Sequence, residues 1–193
     1  ISGTTITAGT DTAINSSITN AGAGISAVVL PNGNVFIAHS YNSSLYLYGV
    51  VCTISGTTIT VGTDTAINLS ITNAGNVISA VVLPNGNVFI AHSYSNSNYY
   101  LYGVVCTISG TTITVGTDTA ISTITNAGYG VSAVLLPNGN VFIAHSYNNS
   151  YYLYGVVCTI SGTTITAGTD TAINSSTTST GYVISAIVLP NGN

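Results

Sequence analysis

Hydrophobic and polar positions along the chain form short runs of strand length, and the same order of runs returns about every 53 residues. The nearly continuous apolar run Ile78–Leu83 is followed by the segment Pro84–Asn87 and then by the apolar run Val88–Tyr94. An Asn-Gly pair between two apolar runs is the strongest short signal of a β-hairpin. The pattern therefore predicts a first and a second strand joined by a tight turn.

Two further runs complete each repeat. Tyr99–Ile108 is rich in Tyr and Val, and Thr111–Val115 alternates apolar residues with Thr, which is typical of a strand with one solvated face. No stretch of the chain has helical periodicity of useful length. Each unit is therefore predicted to be a sheet of four antiparallel strands, with the first strand the most enclosed and the fourth half exposed.

The repeat divides the chain into units. The motif Leu-Pro-Asn-Gly-Asn begins at Leu30, Leu83, Leu136 and Leu189. The predicted boundaries are residues 1–24 for the end of one unit, 25–77, 78–130 and 131–182 for whole units, and 183–193 for the start of another. Because Ile1 lies inside a repeat, we expect the chain to be an excerpt from a longer array.

A four-stranded sheet repeated at this period predicts an all-β, β-propeller-like array of antiparallel blades. The expected decrease in burial from the first strand to the fourth matches a blade that runs from a central channel to the rim. A β-solenoid or a stack of sheets is the alternative. In a solenoid, rows of threonine such as Thr58 and Thr60 would form a flat surface of the kind that ice-binding proteins use.

The charge of the chain argues against two classes of partner. There is no Lys or Arg, and four Asp give a formal net charge of −4 with histidine neutral. Binding to nucleic acid needs cationic side chains that displace counterions from phosphate, and attraction to anionic membranes needs them as well. We therefore expect neither nucleic acid nor a membrane as a partner.

One His, one Asp and one Cys recur at equivalent positions, and each is interpreted as structural. Metal ligation around a symmetry axis would need histidines on the innermost strand, whereas the pattern places them on the second, so hydrogen bonds to an Asp or a backbone carbonyl are favoured. Each Asp is expected to accept local backbone N–H groups in a turn, and each Cys to be a buried free thiol. These residues are His39, His92, His145, Asp11, Asp64, Asp118, Asp170, Cys52, Cys106 and Cys158.

No arrangement of residues predicts catalysis. His39 and Ser40 are neighbours on a strand and point to opposite faces, so their side chains cannot form a catalytic pair. One acid in each unit provides neither the paired carboxylates of a glycoside hydrolase nor the clustered acids of a calcium site. We expect no enzyme activity, no metal and no cofactor.

Many of the thirteen tyrosines bracket the Ser- and Asn-rich segment between the second and third strands. This segment and the link to the next unit are where the units differ most, and binding surfaces are commonly built from such loops. A tyrosine ring suits both stacking on sugars and packing across strands, so both interpretations stay open. The candidate ligand-binding residues are Tyr46, Tyr99, Tyr100, Tyr151 and Tyr152.

The units resemble those of highly repetitive bacterial β-propellers and of phage tail-fibre or bacterial surface proteins. The resemblance rests on the blocks LPNGNVFIAHSY, LYGVVCTISGTTIT and GTDTAI and spans essentially the whole chain, although the WD-repeat and kelch signatures are absent. It implies attachment, display or structural spacing outside the cell, on a virion or cell surface. Loop tyrosines would then bind a carbohydrate or a surface protein. The alternative is a purely structural repeat that self-associates into a completed ring or a filament.

Overall fold

The computed structural model describes residues 8–16, 22–70, 72–94 and 98–191, and in these ranges the protein is all-β. Three sheets of five strands follow one another along the chain, which confirms the predicted all-β repeat. The first sheet contains β1 Ile25–Val29, β2 Val35–Tyr41, β3 Tyr46–Ser55, β4 Thr58–Val61 and β5 Thr65–Asn68. The second contains β6 Ile78–Val82, β7 Val88–Tyr94, β8 Tyr100–Ser109, β9 Thr112–Val115 and β10 Thr119–Ser122. The third contains β11 Val131–Leu135, β12 Val141–Tyr147, β13 Tyr152–Ser161, β14 Thr164–Ala167 and β15 Thr171–Asn174. None of the described segments is a helix long and apolar enough to cross a membrane.

The third strand of each sheet pairs with two short strands that lie end to end. In the first sheet, Cys52–Ser55 of β3 pairs with β4, and Leu47–Gly49 of β3 pairs with β5. The sequence pattern predicts four strands per unit and assigns no strand to the β5 segment, so each unit has one strand more than predicted. Thr-Ala-Ile-Asn has two adjacent apolar residues and no alternation, unlike Thr-Ile-Thr-Val of β4, and a register shift at Leu47 interrupts its pairing.

The predicted hairpin between the first two strands of each unit is confirmed. Leu83 N donates to Asn87 O at 2.8 Å, and Asn87 N donates to the side-chain oxygen of Asn85 at 3.1 Å. Gly86 has a φ of 82°, in the left-handed region that glycine adopts without a steric penalty. The turn therefore depends on both the Asn side chain and the Gly backbone.

The sheets stack face to face, and the core lies between successive sheets. Because alternate residues of a strand point to opposite faces, Val88 and Ile90 of β7 pack toward the first sheet, whereas Phe89 and Ala91 pack toward the third. All four side chains are fully buried. The middle sheet is therefore covered on both faces, and its second strand is the most buried strand.

The first strand of each unit is a sheet edge, and the expectation that it is the most enclosed strand is wrong. In β1, Ile25 and Val29 are 60% and 68% exposed. An edge strand has a neighbouring strand on one side only, so its apolar residues are covered only where another unit lies against them.

The first strands of successive units lie side by side, since Ala80 N donates to Ser26 Oγ at 2.9 Å. Equivalent bonds join Ala133 to Ser79 and Ala186 to Ser132.

Candidate functional site

A histidine and an aspartate of the same unit are hydrogen-bonded in all three sheets. His92 is fully buried in β7, and its Nε2 lies 2.8 Å from Oδ1 of Asp118, just before β10. The equivalent pairs His39–Asp64 and His145–Asp170 are each 2.9 Å apart. In the described part of the chain, these three carboxylates accept hydrogen bonds from side chains that lie far along the sequence.

The second ring nitrogen of each histidine faces a backbone oxygen. Nδ1 of His145 lies 2.6 Å from the backbone oxygen of Ser146, and because a carbonyl only accepts, this contact suits an N–H group at Nδ1. Burial alone would raise the pKa of Asp170, but hydrogen bonds from His145 and Ser122 outweigh it and hold this pKa below its ordinary value. An ionised carboxylate also only accepts, so both ring nitrogens of His145 face hydrogen-bond acceptors.

The second oxygen of each carboxylate binds the preceding unit. Asn68 Nδ2, at the end of β5, lies 2.6 Å from Asp118 Oδ2, and Asn15 Nδ2 lies 2.8 Å from Asp64 Oδ2. We call each set of His and Asp from one unit with the bonded residue of the preceding unit a latch. Asp11, at the equivalent position near the start of the chain, is exposed.

The third latch has a different donor because the sequence is shorter there. Ser122 replaces asparagine, and its Oγ lies 2.8 Å from Asp170 Oδ2. The stretch from Asp118 to Asn126 is one residue shorter than the stretch from Asp64 to Asn73. The hydroxyl of Ser122 therefore forms the hydrogen bond between units, although this segment is one residue shorter.

The polar side-chain atoms of the histidines and the bonded aspartates are hydrogen-bonded within the protein. Both ring nitrogens of each histidine and both oxygens of each bonded carboxylate already have partners. Ser93 points to the opposite face, where its Oγ donates to Asn73 O at 2.6 Å. No group of three or more His, Cys, Asp and Glu in the described part of the chain is placed to hold a metal ion.

Six tyrosines form stacked pairs across neighbouring strands, on the same face as the histidines. The rings of Tyr41 and Tyr48 lie 3.9 Å apart and nearly parallel. Burial, together with the neighbouring Tyr41, raises the pKa of Tyr48. The equivalent pairs are Tyr94–Tyr102 and Tyr147–Tyr154, each at 3.8 Å. These tyrosines pack within their own sheet.

Four other tyrosines meet at the loop end of the second and third units, and we call them the tyrosine cluster. Tyr99 and Tyr151 follow the second strand of their units, whereas Tyr129 and Tyr182 lie in the links to the next units. The ring centroid of Tyr129 lies 5.4 Å from Tyr99, 4.9 Å from Tyr151 and 5.0 Å from Tyr182. A 2.9 Å hydrogen bond between the hydroxyls of Tyr129 and Tyr182 raises the pKa of Tyr129 to about 12.

The backbone fixes each link to the loop of its own unit. Gly181 N donates to Tyr151 O at 2.7 Å. Tyr151 has a φ of 51° and Tyr99 a φ of 43°, which bulky side chains rarely adopt. Leu45 has the same φ of 51° in the first unit, so this conformation belongs to the loop and not to tyrosine. A Cβ on Gly181 would lie 2.5 Å from Tyr152 O, so the close approach requires glycine.

The structure brings together only part of the predicted ligand-binding set. Tyr99 and Tyr151 belong to the tyrosine cluster. Tyr46, Tyr100 and Tyr152 lie outside it, and the hydroxyl of Tyr100 accepts a hydrogen bond from Asn98 at 3.2 Å.

Sequence reasoning missed the two link tyrosines. Tyr129 and Tyr182 stand at one position of the link, 53 residues apart, where the earlier links have Ala23 and Asn76. Recurrence of an aromatic residue within a variable segment is the signal that would have identified them.

No protein-family model matches this sequence, and a search of curated proteins found no match either. The functional interpretation therefore depends on the geometry of the site.

Proposed function

We propose that the chain is a non-catalytic structural and adhesive repeat module that acts outside the cell, on a virion or cell surface, and binds a carbohydrate or a protein through its loop end. The observation that carries this proposal is the tyrosine cluster, which two loops and two links assemble across the boundaries between units. Rigid sheets with nearly identical sequences support loops that differ, which is a common plan for a binding surface. The extracellular location follows from the resemblance to phage-fibre and bacterial surface repeats.

A β-propeller-like arrangement of the sheets is part of the proposal. Propeller blades place their first strands around a central axis. The side-by-side first strands, joined by the bond from Ala80 N to Ser26 Oγ and its equivalents, support such an arrangement.

Binding of the whole chain to a glycan array and to intact bacterial cells tests the adhesive function. We expect retention on at least one of these, and a lower signal when Tyr99 and Tyr151 are changed to Ala. A chain that is retained on neither surface would contradict the proposal.

Self-assembly is a second candidate function, because one apolar position is exposed in the first unit and buried in the third. Ile25 is 60% exposed, whereas Val131, at the equivalent position of the third unit, is 9% exposed. A further unit of the same kind, from another copy of the chain, would cover Ile25.

Light scattering behind size exclusion, over a wide range of concentration, distinguishes the two functions. Pure assembly predicts a concentration-dependent oligomer without glycan or cell binding, whereas a monomer that binds glycans would contradict it.

A further inference from the structure

The tyrosine cluster favours one class of ligand among the carbohydrates and proteins of the proposed function. Tyr182 is 48% exposed, and the other three rings are half-buried. We propose that the cluster binds a neutral carbohydrate, with the C–H face of a pyranose ring packed on a tyrosine ring. This proposal rests on the proposed function, since it assigns a ligand to the same loop end.

The ring geometry suits a flat ligand. Tyr99 meets Tyr129 at an interplanar angle of 75°, and Tyr151 meets Tyr182 at 73°. In such edge-to-face pairs one ring contacts its partner only through its edge. Tyr129 also contacts Tyr151 and Tyr182 at tilted angles of 57° and 50°, so the exposed ring of Tyr182 has the most surface open to a ligand. The face of an aromatic ring is electron-rich and attracts the weakly positive C–H groups of a sugar.

Two amide side chains that are close to the cluster in sequence complement sugar hydroxyls. Asn126 Nδ2 donates to Asn149 Oδ1 at 2.9 Å, three residues before Tyr129 and two before Tyr151. An amide has one acceptor oxygen and two N–H donors, so this bond leaves the oxygen of Asn126 and the nitrogen of Asn149 for a ligand. A sugar hydroxyl donates and accepts at once and therefore matches this mixed pair.

Charge favours a neutral sugar over an acidic one. The chain has no Lys or Arg to pair with a carboxylate or sulfate. The aspartates of the second and third units, Asp118 and Asp170, are hydrogen-bonded within the latches. An acidic sugar would lose its hydration without gaining a cationic partner.

The tyrosine rings are packed together in the absence of a ligand, so we expect the site to be largely ordered before binding. The rings of the cluster contact one another, and backbone hydrogen bonds such as Gly181 N to Tyr151 O fix the link to the loop. Side chains that are already ordered lose little conformational entropy on binding.

The first unit boundary provides an internal comparison. Leu45 stands where later units have Tyr99 and Tyr151, and Asn76 stands where they have Tyr129 and Tyr182. Changing Leu45→Tyr together with Asn76→Tyr would therefore extend the cluster by one boundary.

The test is a titration of the purified chain with neutral oligosaccharides of glucose, galactose, mannose and N-acetylglucosamine, and with matched oligosaccharides that contain uronic or sialic acid. Isothermal calorimetry measures the affinity and the number of sites. We expect Tyr129→Ala and Tyr182→Ala each to weaken binding of a neutral oligosaccharide by about tenfold or more. Tyr41→Ala, whose ring stacks on Tyr48 outside the cluster, should bind like the unchanged chain, and the Leu45→Tyr, Asn76→Tyr variant should bind more sugar per chain. Tyr182 is exposed, so its variant keeps the test valid even if Tyr129→Ala misfolds.

The outcomes separate this proposal from the adhesive function. Neutral sugar binding that survives in a folded Tyr182→Ala variant, or binding of acidic sugars only, would overturn the site assignment while the adhesive function stands. Binding to a surface protein with no sugar binding would overturn the ligand class alone. A chain that is retained on neither glycans nor cells would overturn both.

Discussion

Asn68 Nδ2 lies 2.6 Å from Asp118 Oδ2, although the two residues are 50 positions apart and belong to different sheets. The other oxygen of the same carboxylate accepts a hydrogen bond from the buried ring of His92. Asp118 therefore connects the interior of its own sheet to the preceding sheet. Near-identical units have few sequence differences that fix their neighbours, so a polar bond of defined geometry helps to set the position of one sheet on the next.

The change Asn68→Asp tests the latch. It keeps the side-chain oxygen that accepts from Ser70 N, but it removes the N–H donor and places a second carboxylate beside Asp118. We expect the free energy of unfolding at neutral pH to fall by about 2 kcal/mol, as for a lost hydrogen bond to a charged group. Urea unfolding followed by circular dichroism measures this change.

Asn174→Asp is the matched control. Asn174 accepts from Ser176 N in the same local turn, but in the described residues it donates to no carboxylate. We expect its effect to stay within about 0.5 kcal/mol. Equal destabilisation by the two changes would show that the local turn matters and the bond between units does not.

The lowered pKa of Asp170 predicts a loss of stability in acid. Hydrogen bonds to His145 and Ser122 favour the ionised carboxylate in the folded state. Its stabilising contribution is therefore fully present above the ordinary aspartate pKa of about 4 and is lost as the pH falls toward the lower folded value. Unfolding measured across this range should show a smaller pH dependence in Asp170→Asn than in the unchanged chain. An identical pH dependence in both proteins would contradict this account.

The hydrogen bonds of His145 lead to a prediction about its ring protons. Its two ring nitrogens face acceptors, Ser146 O at 2.6 Å and Asp170 Oδ1 at 2.9 Å. Because an acceptor binds an N–H group, nitrogen-15 NMR should detect two ring N–H groups on this residue that exchange slowly with water. Asp170→Asn should weaken the protection of the Nε2 proton and leave that of the Nδ1 proton. A spectrum of a single neutral tautomer would contradict this prediction of two ring N–H groups.

The three cysteines are free and buried, as the sequence predicts. Burial raises the pKa of Cys106 and of Cys158 to about 12. Because the thiolate is the reactive form, iodoacetamide at mildly alkaline pH should label none of the thiols in the folded chain. All three should react in urea, and mass spectrometry counts the labels. Rapid labelling of Cys106 without denaturant would contradict the face-to-face packing of the first two sheets.

Local patterns in the sequence were sufficient to predict most of the strands. Apolar runs identify the first three strands of each unit, alternation identifies the fourth, and Asn-Gly identifies the hairpin, because all of these signals lie within a few neighbouring residues. The fifth strand was missed since Thr65–Asn68 does not alternate and its pairing is interrupted. The burial of the first strand was misjudged because an apolar run does not reveal whether a strand is an edge.

The candidate site was less predictable because its contacts cross unit boundaries. Sequence could suggest that His92 binds an aspartate, but the bond of that aspartate to Asn68 depends on how two sheets stack. Tyr99 and Tyr151 were visible as loop aromatics. Tyr129 and Tyr182 join them only because the links fold back onto the loops.

A final prediction concerns the glycine at the centre of each link. A Cβ on Gly75 would lie 2.7 Å from Tyr46 O and 2.8 Å from Ser40 Cα, so a side chain there must displace the link. Gly22 has the same place in the first link, yet among the described residues the nearest atom to its Cβ would be Ile25 Cδ1 at an ordinary 3.5 Å. We expect Gly75→Ala to lower the free energy of unfolding by about 1–3 kcal/mol, as overpacking does. Gly22→Ala should change the free energy of unfolding by less than about 0.5 kcal/mol.

Hydrogen exchange provides a second measurement of Gly75→Ala, since the hydrogen bond from residue 75 N to Leu45 O should weaken and that amide should exchange faster. Equal stability of the two variants would mean that the link does not need glycine for its approach to the loop.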